Sequence, residues 1–312
     1  MPIQKKQISL DNDMDIREQW EYICKSGKEN PDSKIGVFAS DANSYQLIWS
    51  NCRASICSYH DINSLNHGFS QPKSDFHKIP PKIIHPQILT SRIRITRNLS
   101  QFRFPSLMNN SERLKICNLV RNALQSVPGF FYYLNDLPTE IENKLRDRNF
   151  FFENRDRFLK SAGIYRDWPQ GRAIFITEDW QVCVWINEED HLRIMSIVPN
   201  YDLQLLTSQL LPVLKHLEAR LSFAYSEQLG FLTSCPSNLG TGCRISIHAQ
   251  CSEEEVEQFK QMGLQVRSFK GESYCSTGDI YDISVRRRLG ITESDIMNKL
   301  YKSLATWLRK KS

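Results

Sequence analysis

No segment of this 312-residue chain approaches the run of ~20 apolar residues that spans a bilayer. The amino terminus, MPIQKKQISLDNDMDIREQW, also lacks the apolar stretch of a secretory signal. A soluble, cytoplasmic protein with no membrane partner is the expectation. Three common signatures are missing as well: there is no GxxxxGK[ST] phosphate loop, no GxGxxG opening a helix and no HExxH zinc site. Any nucleotide site must therefore be assembled from separated residues. The nine cysteines are scattered, odd in number and contain no CxxC pair, which argues against structural zinc and a redox motif and predicts reduced thiols. The excess of 40 Lys+Arg over 35 Asp+Glu favours anions near the surface but is too small and diffuse to indicate nucleic acid.

What is present is ordinary globular composition, 40% hydrophobic and 24% charged, on a chain long enough for one large catalytic domain and a small satellite. Residues 1–30 are polar and predict a mobile leader with one short helix near Ile16–Cys24. Asn66–Pro86 is rich in Ser, Lys, His and Pro and predicts a linker, because proline restricts itself and its predecessor. Beyond it, Phe131–Leu134, Ala173–Ile176, Val182–Ile186, Leu192–Ile197, Cys243–His248, Gln265–Ser268 and Ile280–Ile283 are short β-branched and aromatic runs. Helical periodicity occupies Leu203–Tyr225, where Pro212 predicts a kink or a helix start. It recurs in Ser252–Met262, with a Ser252/Glu255 cap, and after Thr292/Asp295. Strands and helices without a repeated βαβ rhythm predict an α+β fold with a largely antiparallel sheet.

Four segments carry candidate chemistry. If Ser91–Arg97 is extended, Arg92 and Arg94 point together, and paired guanidiniums can hold phosphate oxygens; a solvated basic edge reads equally well. Asn187–Arg193 interrupts apolar strands with three acids and Arg193, either to meet a cationic and an anionic substrate or as a charged turn. Thr233–Arg244 joins Cys235, a glycine-rich turn and Arg244; backbone N–H groups there could face an anion, or the loop could simply enclose a buried cysteine. Arg267 precedes Lys270-Gly271-Glu272, a loop that could cover a nucleotide or stay solvated.

Over most of residues 33–308 these segments resemble the phosphagen kinases, the ATP:guanido phosphotransferases that include arginine and creatine kinases. The resemblance rests on SRIRITR at 91–97, RDWPQGRAIF at 166–175, VWINEEDHLRI at 184–194, GFLTSCPSNLGTGCR at 230–244 and GDIYDISVRRRLGITE at 278–293. It implies a leader over 1–32, a remnant of a small helical domain over 33–70, a linker over 71–87 and a catalytic domain over 88–312 with an antiparallel sheet flanked by helices. It further implies that Arg92, Arg94, Arg193, Arg244 and Arg267 clamp the phosphates of ATP or ADP. Glu189 and Glu272 would be the catalytic carboxylates, with Cys235 beside the guanidino group. Ser33, Lys34, Ile35, Gly36, Val37 and Phe38 would form the substrate loop, and Asp32 would brace the domains. Mg2+ would be held by phosphate oxygens and water, with no protein metal site.

Physical chemistry is consistent with those roles. A guanidinium is protonated at neutral pH, so carboxylates must orient it and accept a proton during attack, while arginines offset charge on the transferring group. L-Arginine is the expected substrate, in a monomer or homodimer. Several departures bear on this: Ile176 stands where the family has histidine, Phe38 where arginine kinases have tyrosine, Lys34 where they have glycine, and RSFKGESYCSTGD replaces the usual covering loop at 267–279. They leave two alternatives, a nucleotide-binding pseudoenzyme or scaffold and a protein arginine kinase.

Overall fold

A computed structural model describes residues 15–62, 70–268 and 280–310. Two helices come first, α1 (Ile16–Glu29) and α2 (Ser44–Tyr59). They are followed by β1 (Ile88–Arg97), α3 (Asn110–Leu124), β2 (Gly129–Tyr133), α4 (Thr139–Asp147) and α5 (Arg157–Ser161). Next come β3 (Ala173–Thr177), β4 (Val182–Ile186), β5 (Leu192–Pro199), α6 (Leu203–Glu218), β6 (Tyr225–Ser226), β7 (Gly230–Phe231) and β8 (Cys243–Gln250). The chain closes with α7 (Glu253–Gln261), β9 (Leu264–Ser268), β10 (Ile280–Val285) and α8 (Glu293–Arg309).

Reciprocal capping boxes start three of the helices, Asn109 with Glu112 at α3, Ser252 with Glu255 at α7 and Thr292 with Asp295 at α8. Each satisfies two backbone donors that an α-helix leaves unpaired at its first turn. Pro212 lies inside α6, which continues past it, so the proline does not begin the helix. The first helix extends to Glu29, beyond the expected Cys24, because Ile23 and Ser26 are buried and supply it with a packed face.

Eight strands form one sheet in the order β2-β3-β4-β5-β1-β8-β10-β9, antiparallel at every junction. Strand alternation gives its two faces different chemistry. Ile93, Ile95, Ile194, Ile245, Ile247 and Ile283 are all fully buried on one face, in a core completed by Leu206 and Leu210 of α6 and Leu300 and Trp307 of α8. Each such aliphatic side chain contributes roughly 1.5–3 kcal/mol on burial, so this face dominates the stability of the sheet. The opposite face is apolar only at the β3–β4 end. There Ile174, Ile176 and Cys183 pack with Leu145 of α4 and with Phe150 and Phe152.

The amino-terminal helices share a second core, in which Ile23, Ile48 and Ile56 meet Phe104, Leu232, Leu239 and Leu289. Residues after 70 run along the surface on specific hydrogen bonds: Gly290 N–H donates to Gln71 Oε1 at 2.7 Å, and Ser294 N–H donates to the Asp75 carbonyl at 2.9 Å. An isolated bridge joins Ile83 to Tyr201.

Candidate functional site

The register of the sheet gathers the basic residues. Arg92 and Arg94 alternate with buried isoleucines on β1; Arg94 lies opposite Arg244 on β8 and Met195 on β5, while Thr96 lies opposite Arg193. Asp282 on β10 lies opposite His248 on one side and Arg267 on the other. Because cross-strand partners share a face, Arg92, Arg94, Arg193, Arg244 and Arg267 all project from the side opposite the isoleucine core. Four strands, β5, β1, β8 and β9, carry them, and β10 with Asp282 lies between the last two.

Carboxylates hold three of these guanidiniums. Asp282 accepts from Arg244 at 2.7 and 2.9 Å and from Arg92 at 2.9 Å. Ser284 Oγ accepts from Arg244 at 3.1 Å. Burial pulls the Asp282 carboxyl upward, but Arg244, with Arg92 and His248, keeps it well below the usual carboxylate range. Arg193 donates to Glu189 at 2.6 Å and lies 3.0 Å from Glu188. Arg94 has no carboxylate within ion-pair distance among the described residues, and its buried Nε has no hydrogen-bond partner. Burial first, then Arg193, Arg244 and Arg92, lowers its pKa well below the ordinary arginine value. A polyanion reaching this face would relieve both the unpaired donor and the mutual repulsion.

The acid-rich turn sorts its three carboxylates by exposure. Asn187 adopts a left-handed conformation, φ 62°, and its amide donates to the Gly171 and Arg113 carbonyls at 2.8 and 3.0 Å, which fixes the turn between β4 and β5. Glu188 is buried, and its carboxylate accepts from the Glu189 N–H at 2.6 Å. Asp190 is buried too, accepting from the Ser234 N–H at 2.6 Å and from Asn98 at 2.7 Å. Burial, then the Glu189 charge, pushes Asp190 up to about 7. Only Glu189 of the three is partly exposed.

Cys235 begins the 3-10 turn Pro236–Asn238, its Sγ 3.1 Å from Ser237 Oγ. Burial, then the Glu189 charge, pushes the thiol up to about 12, so it is protonated at neutral pH. Cys235 packs against a small apolar cluster of Phe38, Leu159, Ala162 and Ile164. The same cluster brings the Ser33–Phe38 loop to the thiol, and the Ala39 N–H donates to the Ser234 carbonyl at 2.7 Å. Within the loop, Gly36 needs its positive φ of 77° and donates to Ser33 Oγ at 3.0 Å, while Phe38 N–H donates to the Ile23 carbonyl. Asp32 forms a two-pronged ion pair with Arg157 at the start of α5, one contact being 2.9 Å.

Of the residues expected from sequence, the five arginines share one sheet face, Glu189 pairs with Arg193 on it and Phe38 packs with Cys235, whereas Asp32 pairs with Arg157 and Glu272, together with Lys270 and Gly271, lies outside the described residues. Ile176 is fully buried in the apolar cluster at the β3–β4 end, a covered position on the same face as the arginines. Sequence reasoning missed Asp282, the carboxylate shared by Arg92 and Arg244, although a lone acid inside the strand IYDISV is a visible signal. It also missed Asn238, whose Nδ2 lies 3.5 Å from Glu189 Oε1. Among the described residues no group of three or more His, Cys, Asp or Glu side chains could hold a metal ion. No helix among them is long and apolar enough to cross a membrane.

Comparison with known proteins agrees with this arrangement. Residues 115–309 match the family model of the ATP:guanido phosphotransferase C-terminal catalytic domain. Arginine kinase from Liolophura japonica is 35% identical over 295 residues, which cover 90% of this chain and 83% of that protein. Arginine kinase from Artemia franciscana is 34% identical over 303 residues, 92% of this chain and 84% of that protein. Among solved structures, the substrate-free duplicated taurocyamine kinase from Schistosoma mansoni superposes with a TM-score of 0.83 at 31% identity, covering 93% of this chain. The chain spans 43% of that duplicated kinase. A lombricine kinase crystal structure superposes with a TM-score of 0.84 at 25% identity, covering 93% of this chain and 84% of that one.

Proposed function

The chain belongs to the ATP:guanido phosphotransferase family, and on that premise we propose that it reversibly transfers the γ-phosphoryl group of ATP to L-arginine, giving phosphoarginine and ADP. The observation that carries the proposal is the sheet face on which five arginines, Arg94 without a carboxylate of its own among the described residues, adjoin the one partly exposed acid of the Asn187–Arg193 turn.

In this reading Arg92, Arg94, Arg193, Arg244 and Arg267 bind the phosphates and offset charge that spreads over the equatorial oxygens of the transferring group. Mg2+ enters as part of the substrate, on phosphate oxygens, where it would neutralise further charge. Glu189 has a preset orientation because Arg193 grips one of its oxygens at 2.6 Å. It would align the guanidinium and accept its proton as nitrogen attacks phosphorus. The Cys235 thiol and the neighbouring apolar cluster would exclude water from that side. Glu272 is the second carboxylate suggested by the resemblance.

At the far end of the substrate, an α-carboxylate needs donors to replace water. The Gly36 and Phe38 N–H groups already donate within the protein, which leaves those of Lys34, Ile35 and Val37 for it. A second reading, with taurocyamine or lombricine as acceptor, is favoured by the solved kinases that share the fold. The test is a panel of L-arginine, taurocyamine, lombricine, creatine and glycocyamine with MgATP. Phosphoarginine should form fastest; faster transfer to another acceptor would replace the substrate, and no transfer to any would overturn the phosphotransferase reading.

A further inference from the structure

We propose that His60, at the carboxyl end of α2, is a positioning residue that holds the Cys235–Asn238 turn in register with Glu189. His60 is fully buried. Its Nε2 lies 3.0 Å from the Pro236 carbonyl, and its Nδ1 lies 3.3 Å from the backbone N–H of Arg288. A carbonyl can only accept and an N–H can only donate, so both contacts together define one state: neutral imidazole, protonated on Nε2 and accepting at Nδ1. Burial lowers the pKa of the ring to about 3, consistent with that single tautomer at every working pH.

The two bonds join three parts of the chain that meet at the reacting end of the site. Pro236 directly follows Cys235. Arg288, anchored at its backbone by His60, turns its own guanidinium onto the same 3-10 turn, where it donates to the Ser237 carbonyl and, at 3.1 Å, to Asn238 Oδ1. With Oδ1 so engaged, Asn238 has its amide nitrogen directed at Glu189 Oε1, 3.5 Å away. Ser237, between them, contacts the Cys235 thiol at 3.1 Å. His60 therefore secures the turn twice, once at Pro236 and once through Arg288. Among the described residues no hydrogen bond joins it to Glu189 or Cys235.

The assignment rests on the reading of Glu189 and Cys235 as the guanidino end of the site, so its test includes a readout independent of turnover. His60→Ala and His60→Gln are compared with wild type by steady-state kinetics in each substrate. In parallel, alkylation of Cys235 by iodoacetamide is followed by peptide mass spectrometry on folded protein. His60→Ala should lose about tenfold in kcat/KM for the guanidino substrate, the scale of two ordinary hydrogen bonds, with the KM for MgATP within about twofold. Cys235 should alkylate roughly fivefold faster, the scale of one lost hydrogen bond. His60→Gln, which keeps an N–H for the Pro236 carbonyl, should recover part of both. Unchanged alkylation of Cys235 in folded His60→Ala overturns the proposal, as does an equal loss for both substrates without recovery in His60→Gln. If wild type transfers phosphoryl to no guanidino compound yet alkylation responds as expected, the positioning role stands and the phosphotransferase reading falls.

Discussion

Replacing Asp282 by asparagine should destabilise the protein more than any surface change, and added nucleotide should restore more stability to the variant than to wild type. Asp282 is 7% exposed and accepts three charged hydrogen bonds, two from Arg244 and one from Arg92. Asparagine keeps the shape but removes the charge, leaving two guanidiniums facing each other on a largely buried sheet face. Breaking a buried ion pair from one side costs about 3–5 kcal/mol. Arg92 retains 16% of its side-chain exposure, so the lower end, about 3 kcal/mol, is expected. At a few degrees per kcal/mol for a domain of this size, that is roughly 6–12 °C in Tm. A polyanion bound to the face would supply the missing charge, so saturating MgATP should raise the Tm of the variant more than that of wild type. Thermal and urea unfolding at pH 7.5, with and without nucleotide, measure both quantities. An Asp282→Asn variant within about 0.5 kcal/mol of wild type, the range of ordinary surface substitutions, would refute the view that this carboxylate neutralises the arginine face.

Glu189→Gln should lower kcat by about 10²-fold or more while changing the KM for MgATP little, the scale of a positioned acid-base group; unchanged turnover would remove Glu189 from the chemistry. Asp190→Asn should make stability less dependent on pH. Because the folded pKa of Asp190 is raised to about 7, its contribution is fully present below the unfolded carboxyl value near 3.9 and is lost as pH rises through about 7. The variant, which can still accept from Ser234 and Asn98, should therefore gain on wild type between about pH 4 and 7 and hold a constant advantage above, as read by urea titrations at several pH values; a pH-independent difference would refute this.

Strands were legible where β-branched runs are bounded by polar turns, and Val182–Ile186 has the expected limits. Beyond those runs the sheet continues: β5 reaches Pro199 because Thr90 of β1 pairs with it, and β8 reaches Gln250 because Ile280 of β10 does. Propensity within a short window contains no record of such partners. The α2 and α3 helices went unassigned for different reasons. Helix α2, SYQLIWSNCRASICSY, mixes weak helix formers and is stabilised by burying Ile48 and Ile56 against loops distant in sequence. Helix α3 carries Ile116, Val120 and Leu124 at helical spacing behind an Asn109/Glu112 capping box, a signal that was there to be read. The pairing of Arg92 with Arg94 follows from strand periodicity alone, but their meeting with Arg193, Arg244 and Arg267 requires the strand order. Asp282 was obscured for that same reason, since its partners are 38 and 190 residues away.

The alternation along β1 also ties folding to the cationic face. Strand side chains have a period of two, so a slip of one residue in the pairing of Ile88–Arg97 would turn Arg92 and Arg94 into the space now filled by Ile93 and Ile95 and turn those isoleucines out among guanidiniums. A misregistered sheet would thus be penalised on both faces at once. Selection for a cationic surface and selection for a unique strand pairing act on the same ten residues, and an insertion within β1 would disrupt the arginine face and the sheet together.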